Sequence, residues 1–176
     1  MKWLRGPKMA ILWTVLRIWL GVQWLKAGLP KIGAFDAEGF LHGAIAKAEG
    51  AHPAVQGWYA GFLENVALPN VGLINILIPW GEVLVGIALI LGLATLPALL
   101  AGAFMNLNFL LAGTISTNPV LYTAAILLIA AGTAATFYGL DRFAIRFMKD
   151  KWNARKMKGA RGNNDKTIEG GHAAAH

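Results

Sequence analysis

Four long apolar runs limit most strongly what this chain can fold into. They cover about 9–30, 73–93, 96–114 and 119–140 of the 176 residues. Each is roughly 20 residues long, which is enough for a helix to cross a hydrocarbon core of about 30 Å. The pattern predicts an all-α fold, a four-helix transmembrane bundle forming one domain over 1–148.

The basic residues are distributed unevenly around these runs. Three of the 16 Lys and Arg residues precede the first run and nine follow the last, whereas the loop after the first run holds only Lys31 and Lys47. Cationic residues concentrate on the cytoplasmic side of membrane proteins. We therefore expect a multi-pass protein of the plasma membrane with both termini in the cytoplasm. The partner implied by this charge pattern is the lipid bilayer, not nucleic acid.

The composition also excludes several kinds of redox chemistry. The chain has no cysteine, which rules out a thiol–disulfide relay or iron–sulfur ligation within it. Its four histidines, His42, His52, His172 and His176, all lie outside the apolar runs. A haem held by two histidines between membrane helices is therefore excluded, and we expect no haem or metal within the chain.

The segment between the first two runs, residues 34–70, has a helical pattern of its own. Asp36 is placed to cap a helix over 37–48, and apolar residues at helical spacing predict a second helix over 54–67 that stops at Pro69. Both helices are expected to lie on the outer membrane surface. Residues 149–176 are polar, basic and without apolar periodicity, which predicts a disordered cytoplasmic tail.

Three polar residues lie deep inside the apolar runs. Counting from the cytoplasmic edge places Arg17, Glu82 and Asn106 at about 12–16 Å depth, so we expect them to converge, with Arg17 and Glu82 paired. Ionisable groups inside a membrane are costly and mark functional sites by default. The alternative is a buried ion pair that only fixes helix register. Lys26 lies near the outer edge and is expected to extend its charge to the interface.

Several motifs resemble the DoxX/DoxD family. The first run carries Arg17-(x)3-Gly21 and Gly28-Leu29-Pro30-Lys31, and the second carries Gly81-Glu82-(x)3-Gly86. The helical outer segment is closer to the DoxD-like branch, the small subunit of thiosulfate:quinone oxidoreductase, as are three further motifs. These motifs are Asn106-Leu107-Asn108-Phe109, Asn118-Pro119 and Gly139-Leu140-Asp141-Arg142. The resemblance covers roughly residues 10–145.

The resemblance implies a membrane subunit of a quinone-linked oxidoreductase, with thiosulfate as the leading electron donor and quinone as a substrate. Glu82 and Arg17 are the candidate catalytic residues. The candidate binding residues for quinone and for an anionic donor are Asn106, Trp24, Trp80, Lys31 and Lys26. A partner redox subunit or a homo-oligomer is expected, since the chain has no recognisable one-electron relay. Two alternatives remain open, a non-catalytic membrane anchor for a redox partner and a small anion transporter.

Overall fold

The structure is a computed structural model that describes residues 6–144, 146–147 and 151. The described part of the chain is helical and contains no strand. The predicted tail, 149–176, falls outside it apart from Lys151. The α-helices are α1 (Pro7–Gly28), α2 (Ala37–Ala46), α3 (Gly57–Phe62), α4 (Val71–Leu91), α5 (Thr95–Leu111) and α6 (Asn118–Ala131).

The four longest helices pack as successive neighbours: α1 contacts α4 and α6, and α5 contacts the same two helices. Helices α1 and α4 approach closely where Gly21 faces Gly86, since a Cβ atom on either glycine would lie 2.8 Å from the carbonyl oxygen of the other. Small residues allow such close backbone approach. The core among these helices includes Leu20, Trp24 and Leu89, each almost fully buried.

The predicted stop at Pro69 is wrong, because the chain stays helical from Gly57 to Leu91. A π-helical stretch, Leu63–Ala67, and a 3-10 stretch, Leu68–Asn70, join α3 to α4. In the π-helical stretch the N–H of Leu68 bonds to the carbonyl of Leu63, five residues back. A proline interrupts an α-helix by lacking an N–H and by crowding the carbonyl four residues earlier. The shifted bonding accommodates Pro69 without ending the helix.

The predicted fourth span, 119–140, is also too long. Helix α6 ends at Ala131, where Gly132 adopts φ 59° and ψ −126°, and a 3-10 turn, Gly132–Ala134, follows. Turns and bends follow at 135–140, and residues 141–144 are helical again. The apolar composition of 135–140 gave no sign of this break. The connections on either side of α5 lie at 92–94 and 112–117, and each begins two to three residues earlier than the predicted spans place it.

The outer segment forms a layer over one end of the four helices, which we call the α2–α3 end. The carboxylate of Asp36 accepts a hydrogen bond from the N–H of Gly39, which confirms the predicted cap. Asn75 of α4 also holds α2, because its side-chain oxygen accepts from the N–H of Ala37 at 2.8 Å. The second helix begins at Gly57, three residues later than predicted.

The two faces of α3 and its π-helical extension differ. Tyr59 and Leu63 are buried against α2, whereas Trp58, Phe62 and Val66 are exposed. The apolar face predicted for this helix is therefore divided between the protein core and the surroundings. Among the described residues, one helical stretch, Gly57–Leu91, is long and apolar enough to cross a membrane. Two other apolar helices, Thr95–Leu111 and Asn118–Ala134, are shorter.

Candidate functional site: an ion-paired cavity at the α2–α3 end

Glu82 and Lys31 form an ion pair where α1 ends. The ammonium nitrogen of Lys31 donates to both carboxylate oxygens of Glu82, at 2.6 and 2.8 Å. The side chain of Glu82 is 1% exposed and that of Lys31 is 32% exposed, so the pair connects the interior with the surface. Breaking a buried ion pair by removing one partner is strongly destabilising. Loss of either residue is therefore expected to destabilise the protein, because it leaves the other charge without its partner.

Local backbone geometry explains this pairing. A Cβ atom on Gly28 would lie only 2.8 Å from the Cβ of Glu82, so glycine lets α1 pass directly over the carboxylate. The 3-10 turn Leu29–Lys31 then continues the chain, with Pro30 inside it. Because the turn keeps Lys31 near the helical direction, its side chain reaches Glu82. If the helix continues past Pro30, helical spacing places Lys31 on the same face of α1 as Arg17 and Gly28. This spacing is the sequence feature that could have indicated the Lys31–Glu82 pair.

The pair borders a cavity of about 310 Å³. Its volume is at the lower end of the range of about 300–1,000 Å³ that is typical of small-molecule sites. Aromatic rings form much of the wall, and Lys31 Nζ lies 5.4 Å from the ring centre of Phe109 and 5.8 Å from that of Phe35. Polar side chains from the α5–α6 connection close the other side. The lining residues include Gln23, Trp24, Ala27, Phe40, Thr114, Ser116, Thr117, Asn118 and Leu121.

Two further predicted residues lie in the core beside this cavity. Trp24 lines the cavity and is 1% exposed, and its ring lies against Gly102 of α5. Asn106 is fully buried one helical turn beyond Gly102, but it does not line the cavity. The indole nitrogen of Trp24 and both amide atoms of Asn106 have no hydrogen-bond partner among the described residues. Buried polar atoms of this kind are rare and call for an explanation, such as a ligand or water.

Arg17 is not part of this cavity, and its predicted pairing with Glu82 is wrong. Its guanidinium donates to the carbonyl oxygen of Tyr138 at 2.5 Å and interacts electrostatically with Asp141. Arg17 faces Gly92, whereas Glu82 faces Gly28. Arg17 and Gly28 are eleven residues apart on α1, about 16 Å at the helical rise. The predicted depths are wrong because they assume level helix ends, while α1 extends past the end of α4.

Arg17 belongs instead to a second polar group at the C-terminal end of α4, which we call the Arg17 cluster. The carboxylate of Asp141 accepts from the N–H groups of Ala94 and Thr95, at 2.6 and 2.9 Å, and so caps the start of α5. The N–H of Asp141 in turn donates to the carbonyl of Gly92 at 2.7 Å. These bonds tie the chain after α6 to the α4–α5 turn. This capping role was not predicted from the sequence.

Lys26 and Trp80 do not line the cavity either. Both side chains are exposed, Trp80 to 49%. Lys26 is only two residues from Trp24, but that spacing puts it on the opposite, exposed side of α1. Of the predicted site residues, the structure thus brings Lys31, Glu82 and Trp24 together. The aromatic wall formed by Phe35, Phe40 and Phe109 was not predicted, because these residues also fit a purely packing role.

The fold and the site together define an all-helical protein with an ion-paired cavity beneath a helical layer. The family model described as DoxX matches residues 12–114, and the chain belongs to the DoxX family. It is accordingly a membrane protein, and the matched region contains Arg17, Lys31, Glu82 and Asn106. No curated protein and no solved structure matches the chain.

Proposed function

We propose that α1, α4, α5 and α6 form a four-span transmembrane bundle with the α2–α3 end outside the cell and both termini in the cytoplasm. Support comes from the large apolar side chains that each helix exposes, since contiguous exposed apolar surface of this extent is typical of membrane contact. Examples are Ile11, Val15, Ile76, Leu84, Leu100, Phe104, Val120 and Leu127. The basic residues before α1 and after residue 141 support the orientation.

We further propose that the protein is a membrane subunit of a quinone-linked oxidoreductase, with a small anion such as thiosulfate as electron donor. The observation that carries this proposal is the Lys31–Glu82 pair at the wall of an aromatic cavity. Reducing a quinone takes two electrons and two protons. A carboxyl group beside the ring can deliver protons, and an ammonium group can donate a hydrogen bond to a ring carbonyl.

In this proposal Glu82 is the proton-transferring residue and Lys31 holds a carbonyl oxygen of the quinone. Trp24 and the rings of Phe35 and Phe109 hold the quinone ring by stacking. Arg17, Lys26 and Trp80 have no role in the cavity, given their positions. Electrons reach the cavity from the donor directly or through a partner redox subunit, and Lys31 is the cation that an anionic donor meets there.

The test uses the purified full-length protein in lipid nanodiscs, with and without a candidate partner subunit, assayed for thiosulfate-dependent reduction of a quinone. Glu82→Gln keeps the shape of the side chain but removes its titratable proton, and turnover should fall by about 100-fold or more. The matched control is Glu64→Gln, at an exposed carboxylate of the π-helical stretch. A Glu82→Gln protein that accumulates normally and turns over like wild type would contradict the proposal. A wild-type protein that binds a redox partner without any turnover supports the anchor alternative.

A further inference from the structure

A second, apolar pocket adjoins the Lys31–Glu82 cavity. It has a volume of about 470 Å³ and lies between the π-helical stretch, Leu63–Ala67, and helices α4 and α5. Phe40 and Phe109 line both this pocket and the cavity. Their rings meet edge to face, with centres 6.2 Å apart and planes at 88°. A single layer of aromatic side chains therefore separates the apolar pocket from the ion pair.

The pocket opens on the apolar outer surface of the protein. Phe62, Val66, Leu73 and Phe104 line it and are 42–67% exposed. In the proposed bundle this surface faces lipid, so a hydrophobic chain enters the pocket without crossing water. One wall is the π-helical stretch, and π-type insertions in helices are frequently found at functional sites.

The polar groups around this pocket are already satisfied. The hydroxyl of Tyr59 bonds with the side-chain oxygen of Asn108 at 3.0 Å, and the amide of Asn108 donates to the carbonyl of Phe104. The amide of Asn70 likewise donates to the carbonyl of Val66. The pocket therefore offers apolar contacts and not hydrogen bonds, in contrast to the neighbouring cavity. The polar cavity and the apolar pocket beside it fit a ligand that has a small polar ring with an apolar chain attached.

We propose, on the basis of the proposed function, that this pocket holds the first part of the prenyl tail of a membrane quinone whose ring occupies the Lys31–Glu82 cavity. The tail of such a quinone is bonded directly to its ring, so it passes between the cavity and the pocket beside Phe40 and Phe109. A phospholipid fits this arrangement less well, because its anionic phosphate would lie against the carboxylate of Glu82. The aromatic pair thereby sets the orientation of the quinone ring in the cavity, because the tail leaves the ring beside Phe40 and Phe109.

The test compares a prenylated quinone with its tailless benzoquinone analogue as substrates in nanodiscs. Val66→Trp fills the mouth of the pocket at a half-exposed position, and it should raise the ratio of the two KM values, tailed over tailless, about tenfold. The control is Ile76→Trp, at a 61% exposed position of α4 outside the pocket, and it should leave that ratio unchanged. An unchanged ratio in Val66→Trp would overturn the tail pocket while leaving the quinone activity in place.

A second measurement separates the two proposals. An isoprenoid alcohol carrying a diazirine, which has no quinone ring, is photolysed with the wild-type protein and the labelled residues are mapped. We expect labelling to concentrate at Phe62, Val66 and Leu73 over Leu84 and Ile87, which are exposed elsewhere on α4. Concentrated labelling without quinone turnover would uphold the pocket and refute the quinone activity. Uniform labelling of all apolar surface would refute the pocket.

Discussion

Two buried charges at different levels along α4, Glu82 near its middle and Arg17 beside Gly92 after its C-terminal end, serve different purposes. Arg17 and Glu82 are both about 1% exposed, but Arg17 contacts backbone carbonyl and turn atoms, whereas Glu82 pairs with a cation that reaches the surface. The bonds of the Arg17 cluster hold the α4–α5 turn to the chain after α6, which is a structural role. The Lys31–Glu82 pair borders a cavity. The comparison teaches that burial of a charge alone does not identify a functional site. Open volume alone does not either, since a largely apolar cavity of about 480 Å³ borders Asp141 of the Arg17 cluster. Lys31 and Glu82 differ in that both line a cavity together with aromatic rings and polar side chains.

The largest expected change in stability comes from breaking the pair at the cavity. Lys31→Met leaves the carboxylate of Glu82 buried without its cation, which should lower the free energy of unfolding by about 3 kcal/mol. The double variant Lys31→Met/Glu82→Gln removes both charges and should recover most of that loss. Thermal unfolding of the purified variants measures both effects, and Lys26→Met, at an exposed position of α1, is the control. Additive effects of the two substitutions would show that the pair is not coupled.

A smaller loss is expected at the α4–α5 turn. Gly92 has φ 63°, and a Cβ atom there would overlap with Nη1 of Arg17. Gly92→Ala should lower the free energy of unfolding by about 2–3 kcal/mol, combining left-handed strain with displacement of Arg17. Gly33→Ala isolates the strain, because Gly33 has φ 73° but a Cβ atom there would have no heavy atom within 4 Å. Equal losses in the two variants would mean that Arg17 is not held against the turn.

A still smaller effect is expected from the cap of α5. Asp141→Ala removes the acceptor for the N–H groups of Ala94 and Thr95 and should lower the free energy of unfolding by about 1–2 kcal/mol. Asp141→Asn keeps one acceptor oxygen and should lose less. Neither change should alter the KM for quinone, since Asp141 does not line the Lys31–Glu82 cavity. Thermal unfolding and quinone titration measure the two quantities separately, and a raised KM with unchanged stability would move Asp141 from a structural to a binding role.

The sequence predicted the bounds of the helices better than it predicted how far each helix is displaced along its neighbours. Apolar periodicity located α1, α2, α4 and α5 closely. The end of the second outer helix was wrong because a shift in hydrogen bonding accommodates Pro69, and residue type alone does not reveal such a shift. The predicted end of α6 was wrong because an apolar stretch can form turns as well as continue a helix.

The site illustrates the same limit. Polar residues inside apolar runs were expected to lie in the interior, and Arg17, Glu82 and Asn106 are all buried, since exposure to lipid would be costly. Their partners depended on how far α1 slides along α4, and a count of residues from assumed membrane edges does not determine that displacement. Lys31 was predicted as a binding residue, and the 3-10 turn after Gly28 places it beside Glu82, in the position predicted for Arg17.

The most direct test of the difference between the two charges measures Glu82→Gln and Arg17→Lys side by side, each for quinone turnover and for melting temperature. We expect Glu82→Gln to abolish turnover while accumulating normally, because the side chain of Lys31 is 32% exposed and its ammonium keeps contact with the surface without the carboxylate. Arg17→Lys keeps the charge but loses the planar guanidinium, so it should lower the melting temperature by roughly 2–6 °C and leave kcat/KM within about two-fold of wild type. The opposite result, with turnover lost in Arg17→Lys at unchanged melting temperature and retained in Glu82→Gln, would contradict the account.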